Sequence, residues 1–161
     1  MSYASIVGRL VAAALVGGAL GLNRNLRGKS AGLRTHALVS LGAALTVLAA
    51  ELATEDTSDH AAVTRAMQGI IAGVGFLGAG TILKTRSARG RAIRGLTTAA
   101  TIWFAASLGM ACGAGFWPAA VIAAIVALLV LMVGKRVEQW FDRAVGGAPR
   151  TDQRAGDRPT V

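Results

Sequence analysis

The sequence predicts an all-α membrane protein with five transmembrane helices. Of its 161 residues, 53% are hydrophobic and only 16% are charged, a composition typical of integral membrane proteins. Five apolar runs each approach the roughly 20 residues that an α-helix needs to cross a hydrocarbon core of about 30 Å. Because short gaps separate these runs, helices that follow one another in the chain are expected to be antiparallel neighbours.

The five predicted helices lie at residues 3–22, 35–53, 66–83, 95–113 and 116–133. Residues 1–143 would then form one polytopic transmembrane domain. Residues 144–161 turn to Gly, Pro, Arg, Asp and Thr, and this composition predicts a disordered cytoplasmic tail. Residues 1–8 contain no Lys or Arg, although a signal peptide usually begins with basic residues. We therefore expect the first apolar run to be retained as a helix and not cleaved.

The distribution of Lys and Arg predicts the orientation of the helices. One predicted side of the membrane holds 15 of the 17 basic residues, namely Arg24, Arg27, Lys29, Arg34, Lys84, Arg86, Arg89, Arg91, Arg94, Lys135, Arg136, Arg143, Arg150, Arg154 and Arg158. The second gap is acidic instead, with Glu55, Asp56 and Asp59. Because basic loops are retained in the cytoplasm, we expect the N-terminus outside the cell and the C-terminus inside.

The net charge of +9 does not predict a nucleic-acid partner. The basic residues fall in short gaps between apolar runs, without the interleaved aromatic residues that single-stranded nucleic acids stack on. The expected surroundings are instead the lipid bilayer, with anionic lipid at the basic cytoplasmic loops.

The third apolar run is unusually rich in glycine. Five glycines fall within the thirteen residues Gln68–Gly80, and they are Gly69, Gly73, Gly75, Gly78 and Gly80. In lipid such a segment still forms a helix, because unpaired backbone groups find no water there. Small residues four positions apart let another helix approach closely. We therefore expect this helix to be central, packed on most sides by the others, and to offer a helix-packing or partner-binding face.

Two pairs of helices echo one another in sequence. Gly18–Gly21 resembles Gly75–Gly78, and Gly32–Thr35 resembles Gly95–Thr98. One interpretation is a parallel repeat, in which helices 1–2 and 3–4 are related by an axis along the membrane normal. Chance is the alternative, since Gly, Ala and Leu dominate the chain.

Both halves of this echo place Gly-Leu-x-Thr at the predicted cytoplasmic start of a helix. Thr35, Thr97 and Thr98 could cap free N–H groups there, and Arg34 and Arg94 lie beside them. The simpler interpretation is helix capping together with the setting of topology. The alternative is a site for a phosphate, a lipid headgroup or an acidic partner surface, because helix N-termini carry partial positive charge.

Four polar residues fall within or at the edge of apolar runs, where they are costly and therefore candidate functional groups. Arg9 either extends outward to the membrane surface or pairs with Glu51, which lies at a similar predicted depth. His36 is expected to form hydrogen bonds at the membrane interface. Gln68 is expected to bond a neighbouring helix.

No catalytic or metal-binding constellation is visible in the sequence. The two histidines, His36 and His60, fall on opposite predicted sides of the membrane. Glu51 is the single carboxylate within the apolar runs, whereas Mg²⁺ prefers several oxygen ligands. The sequence therefore predicts a protein that is not an enzyme and has no bound metal or cofactor.

The motifs as a set resemble the MgtC/SapB family of bacterial inner-membrane proteins. The matching stretches, in the family's order, are Gly17–Leu22, Gly32–His36, Gly73–Gly80 and Arg94–Ala100, with Trp103 following. The resemblance implies a small polytopic protein associated with survival in low magnesium and within host macrophages, and hence with virulence. It also implies regulation of the membrane sector of the F-type ATP synthase, in place of the Mg²⁺ transport once assigned to the family.

Two features depart from the family pattern. Asn23 and Asn25 stand where the family usually has acidic residues, which argues against cation binding by that loop. The resemblance also includes a C-terminal domain of ACT-like fold in many members, and the short polar tail predicts a form without it.

Two functional hypotheses follow. The first is a non-enzymatic regulator that docks on a membrane-protein partner through helix–helix contact, with a second copy of the chain as a further candidate partner. The second is a transporter or channel for Mg²⁺ or another small solute, suggested by the parallel repeat and the polar residues at helix ends.

Overall fold

The computed structural model describes residues 1–54, 60–83 and 95–144. These residues form five helices and no strand: α1 (Tyr3–Leu26), α2 (Leu33–Leu52), α3 (Ala61–Leu83), α4 (Leu96–Gly113) and α5 (Trp117–Ala144). All five are long and apolar enough to cross a membrane. The prediction of an all-helical membrane protein is therefore confirmed. The orientation of the termini and the internal repeat stay predictions, and the proposed tail lies outside the described residues.

The helix α1 continues beyond its apolar run to Leu26. The N–H groups of Gly28 and Lys29 donate to the carbonyl oxygens of Asn25 and Arg24. Gly28 adopts a left-handed conformation with φ of 63°, which glycine tolerates without steric cost. This pattern is a Schellman termination, and it places Arg24 in the last turn of α1 instead of in a loop.

Residues Met1–Leu128 form one compact unit, in which α4 is the central helix. Within the apolar stretch of α4, 56% of residues are buried, against 11% in α3. Helix α4 packs against α1, α2 and α3, and α2 also packs against α1 and α3. The prediction that the glycine-rich third helix is central is therefore wrong. Glycine content shows that a close approach is allowed, but it does not show which helix makes one.

The glycines of α1 and α4 bring both helices close to α2. A Cβ atom at Gly17 would lie 2.6 Å from the carbonyl oxygen of His36, and one at Gly113 would lie 2.6 Å from that of Ala44. A Cβ atom at Gly109 would overlap the carbonyl group of Ser40. These three helices are thus in backbone contact, as small residues allow in membrane proteins.

Small residues make up much of the centre of this unit beside a few large ones, and many other large apolar side chains face outward. Ala13, Ala44 and Ala105 are fully buried, whereas Leu15 and Phe76 are largely exposed. A soluble protein usually buries its large apolar residues. The many large apolar side chains that are exposed here fit a lipid surrounding, because lipid tails are as apolar as the side chains that contact them.

The helix α5 runs from the first compact unit into a second one, which begins at Leu129. In the first unit, Ala120 and Ala124 of α5 are buried. In the second unit, the rings of Trp140 and Phe141 meet edge to face, with centroids 5.1 Å apart. Both rings are exposed, as expected of aromatic side chains at a membrane interface.

Candidate functional site

A buried polar cluster lies where α1 ends and where α2 and α4 begin. Its members are Arg24, His36, Thr98 and Thr101, which we call the Arg24 cluster. Arg24 is 3% exposed and His36 is fully buried. The Arg24 guanidinium donates through Nη2 to the hydroxyl of Thr98. The His36 ring places Nε2 3.1 Å from the hydroxyl of Thr101, so the cluster links all three helices.

The hydrogen bonds of His36 specify where its proton lies. Its Nδ1 is 2.9 Å from the carbonyl oxygen of Gly32, and because a carbonyl can only accept, Nδ1 carries a proton. In the neutral ring, Nε2 then accepts from the hydroxyl of Thr101. That hydroxyl also lies 2.9 Å from the carbonyl oxygen of Thr98. One hydroxyl proton is thus shared between two acceptors, one on α2 and one on α4.

The described residues around Arg24 offer fewer hydrogen-bond acceptors than its guanidinium has N–H donors. Its Nε is buried and has no hydrogen-bond partner among the described residues. Glu51 is the only carboxylate whose side chain the structure describes, and it lies fifteen positions after His36 in α2. At 1.5 Å per residue this separation is about 22 Å, so Glu51 cannot neutralise Arg24.

An ion pair joins the opposite ends of the same three helices. Nη1 of Arg9 lies 2.7 Å from a carboxylate oxygen of Glu51, and it also donates to the carbonyl oxygen of Gly113 at 2.8 Å. Between the two ends, the hydroxyl of Ser40 donates to the carbonyl oxygen of Ala13. Of the two alternatives for Arg9, pairing with Glu51 is therefore the one observed.

The glycines of α3 are mostly open. Helical spacing places Gly69, Gly73 and Gly80 on one side of α3, which we call the glycine face, and Gly75 and Gly78 on the other side. Among the described atoms, none lies within 4 Å of a Cβ built at Gly69, Gly73, Gly75 or Gly80. Only at Gly78 does the Cβ of Ala99 come close, at 3.4 Å. Gln68 is exposed beside this face, and no described residue forms the interhelical hydrogen bond predicted for it. Within one chain, packing by these glycines is therefore limited to Gly78.

Helices α2 and α3 diverge to leave a groove of about 390 Å³. Gly42 and Gly73 lie on its opposite walls, and Ala43 and Val74 line it as well. The groove is almost entirely apolar, with the hydroxyl-bearing Thr46 as an exception. Such a surface suits an apolar helix or lipid chains, and not a hydrated ion.

The remaining predicted residues lie around the helix starts. Arg34, Thr35 and Thr97 are exposed, and Arg94 lies outside the described residues. Gly32 and Gly95 occupy the N-cap positions of α2 and α4. The prediction that Thr35, Thr97 and Thr98 cap these helices is therefore wrong, because glycines are the N-cap residues and no side-chain cap bond is present. The hydroxyl of Thr98 accepts from Arg24 instead. His36 forms hydrogen bonds, as predicted, with Gly32 and Thr101, and it is completely buried within the protein. Its position at the membrane interface stays a prediction.

The sequence reasoning missed Arg24 as a functional candidate and treated it only as a loop residue. A signal was available, because Gly17, Leu20, Gly21 and Arg24 recur at the spacing of one helical face. All four are buried in α1. The same reasoning missed Thr101, which lies one turn after Thr98 on α4.

No cluster in the described part of the chain brings together three or more His, Cys, Asp or Glu side chains suited to a metal ion. The arrangements described above include an ion pair, a buried cationic cluster and an open helix face. Their chemistry is that of helix association and anion attraction.

Comparison with known proteins matches residues 10–140 to the MgtC family. The chain is 47% identical over 138 residues to Protein SrpB of Synechococcus elongatus, covering 81% of this chain and 75% of that protein. It is 41% identical over 134 residues to the Escherichia coli protein named "Putative magnesium transporter YhiD", covering 81% of this chain and 60% of that one.

A third relative is Protein MgtC of Brucella abortus, 43% identical over 121 residues that cover 75% of this chain and 48% of that protein. The chain thus spans only about half to three quarters of the length of these relatives. No solved structure matches the chain.

Proposed function

Because the chain belongs to the MgtC family, we propose that it is a non-enzymatic protein of the bacterial inner membrane that regulates a membrane-protein partner through helix–helix contact. Five helices long and apolar enough to span a membrane support the multi-pass arrangement. A relative named for magnesium transport supports a link to magnesium homeostasis. The family resemblance suggests the membrane sector of the F-type ATP synthase as the partner.

The observation that carries this proposal is the open glycine face of α3. At several glycines of α1 and α4, such as Gly17 and Gly113, a neighbouring helix lies directly against the glycine. Gly69, Gly73 and Gly80, which lie on one face of the helix, have no described neighbour within 4 Å of a Cβ position. In lipid, small residues allow close helix contact, and an exposed amide such as Gln68 gains a hydrogen bond from a docked helix.

Photocrosslinking through α3 tests this proposal in intact membranes. A photoreactive amino acid at Ala72, which is exposed on α3, should capture a membrane-sector subunit of the ATP synthase. Adding Gly73→Leu should reduce this crosslink severalfold, because the larger side chain holds the partner helix away.

A matched control is Gly8→Leu on α1, since Gly8 is also a glycine without a described neighbour within 4 Å. This variant should leave the crosslink unchanged. An undiminished crosslink in a folded Gly73→Leu protein, or the same loss in Gly8→Leu, would contradict docking through the glycine face. A reporter fused after Val161 should be active in the cytoplasm, which tests the proposed orientation.

The alternative function is transport of Mg²⁺ or another small solute, which the name of the YhiD relative favours. In the described structure, Arg9 forms an ion pair with the carboxylate of Glu51. A cation that binds this carboxylate would therefore have to compete with the guanidinium of Arg9. Transport predicts flux into vesicles containing the purified chain that Glu51→Gln abolishes. Flux equal to that of empty vesicles, over a range of ions, would eliminate this alternative.

A further inference from the structure

We propose that the first turn of α4, together with Arg24 behind it, binds a phosphate group. The inference does not depend on the regulatory function proposed above. It rests on three observations about the described residues. They are backbone donors at the start of α4 that have no acceptor inside the helix, a buried arginine whose Nε has no described partner, and the lack of a described carboxylate near either.

The start of α4 offers backbone N–H groups with no acceptor inside the helix. The first intrahelical bond of α4 runs from the Ala99 N–H to the carbonyl oxygen of Gly95. The N–H groups of Leu96, Thr97 and Thr98 therefore precede the hydrogen-bonded part of the helix. Gly95 is the N-cap and has no side chain to accept from them. Leu96 and Thr97 are exposed, so an anion can approach from the surface.

Arg24 supplies the second and independent observation. It is 3% exposed, it donates through Nη2 to Thr98 in the first turn of α4, and its Nε has no described partner. The guanidinium is always charged and presents its donors as a planar fork. That fork fits two oxygens of one phosphate. A buried donor without an acceptor is unfavourable, and a bound phosphate oxygen would remove that cost.

The electrostatic surroundings favour an anion. Glu51 is the only described carboxylate side chain, about 22 Å away by helix geometry, and it is engaged by Arg9. The described charged residues next to the cluster in sequence are all basic, and Arg27, Lys29 and Arg34 are exposed. The partial positive charge of the α4 N-terminus adds to theirs.

Two sources of phosphate fit this chemistry, an acidic phospholipid headgroup and free phosphate. Leu26 and Leu33 are exposed beside the cluster in sequence, as is Leu96. These side chains can contact acyl chains, which a free phosphate does not have. The two sources are separated by experiment.

Thermal unfolding of the purified full chain in detergent tests the proposal. The midpoint is followed against phosphatidylglycerol, phosphatidylcholine or inorganic phosphate, because a ligand of the native state raises it with concentration. Stabilisation by phosphatidylglycerol alone assigns the site to a lipid headgroup. Stabilisation by inorganic phosphate as well assigns it to phosphate itself. Stabilisation by neither, or equal stabilisation by phosphatidylcholine, overturns the proposal.

Variants locate the site. Arg24→Gln should weaken binding by about tenfold or more, the loss expected when a charge-assisted fork is removed. Arg34→Gln changes the net charge equally at an exposed position and should weaken it no more than about twofold. Equal losses of affinity in both variants would show general charge attraction and would overturn the proposed site.

The variant Arg24→Lys applies if Arg24→Gln does not fold. It keeps the positive charge without the planar fork and should give an intermediate loss of affinity. Unchanged affinity in Arg24→Lys would contradict the assignment.

Discussion

Two sets of glycines in this protein have the same spacing and opposite surroundings. Gly17 and Gly21 in α1, like Gly109 and Gly113 in α4, are four positions apart and lie directly against α2. Gly69 and Gly73 in α3 have the same spacing and no described neighbour within 4 Å of a Cβ position. The spacing alone therefore does not distinguish a glycine pair that holds the fold together from one that is available to a partner.

The difference divides the compact unit into two functional parts. The helices α1, α2 and α4 are held by backbone contact, by the Arg9–Glu51 ion pair and by the Arg24 cluster. Helix α3 contacts α2 and α4 but presents most of its glycines outward. Substitutions in the first set should therefore change stability, and substitutions in the second should change association.

The largest effect is expected for Gly109→Ala. The added methyl would overlap the carbonyl group of Ser40, so α4 and α2 must separate. We expect a loss of about 3 kcal/mol in the free energy of unfolding, the upper part of the usual range for overpacking. Denaturation in mixed micelles measures it. A variant as stable as the parent would show that α2 and α4 are not in the close contact described.

An intermediate effect is expected for Glu51→Gln. The neutral amide can still accept from Arg9 but no longer balances its charge, so we expect a loss of about 1–2 kcal/mol. The double variant with Arg9→Gln should regain part of this loss, because no unpaired charge remains. The same unfolding measurement on all four proteins gives the coupling. Additive losses would show that the two side chains do not interact.

The smallest effect on stability is expected for Gly73→Ala. No described atom lies within 4 Å of the position that the added methyl group would take. Alanine is also more favourable than glycine inside a helix by about 1 kcal/mol. The free energy of unfolding should therefore stay within about 1 kcal/mol of the parent value. A large loss in the free energy of unfolding would indicate that another helix lies against Gly73. The difference in surroundings between Gly73 and Gly109 would then not hold.

The sequence predicted the number and type of elements well because length and hydropathy determine them in lipid. The Arg9–Glu51 pair was also foreseeable, since opposite charges at matching depth have few other partners in a membrane. The central position of α4 was not foreseeable in the same way. It depends on which glycine pair meets a neighbour, and Gly109 and Gly69 have similar local sequences.

The Arg24 cluster shows a second limit of sequence reasoning. Arg24 follows the apolar run and counts as a loop base, yet the Schellman termination at Gly28 keeps it inside α1. Its contact with Thr98 joins residues 74 positions apart, and no local pattern specifies such a pair. Helical spacing from Gly17 and Gly21 was the one local indication that Arg24 faces the interior.

The polar contacts at both ends of α1, α2 and α4 have a consequence for motion. Helices α1, α2 and α4 cannot separate without breaking a polar contact near one of their ends. Helix α3, by contrast, packs against α2 and α4 and is mostly exposed along its apolar stretch. Spin labels on α1 and α4 should accordingly report one narrow distance distribution, with a broader one between α1 and α3. The architecture therefore permits α3 to move relative to α1, α2 and α4, while those three helices keep their positions relative to one another.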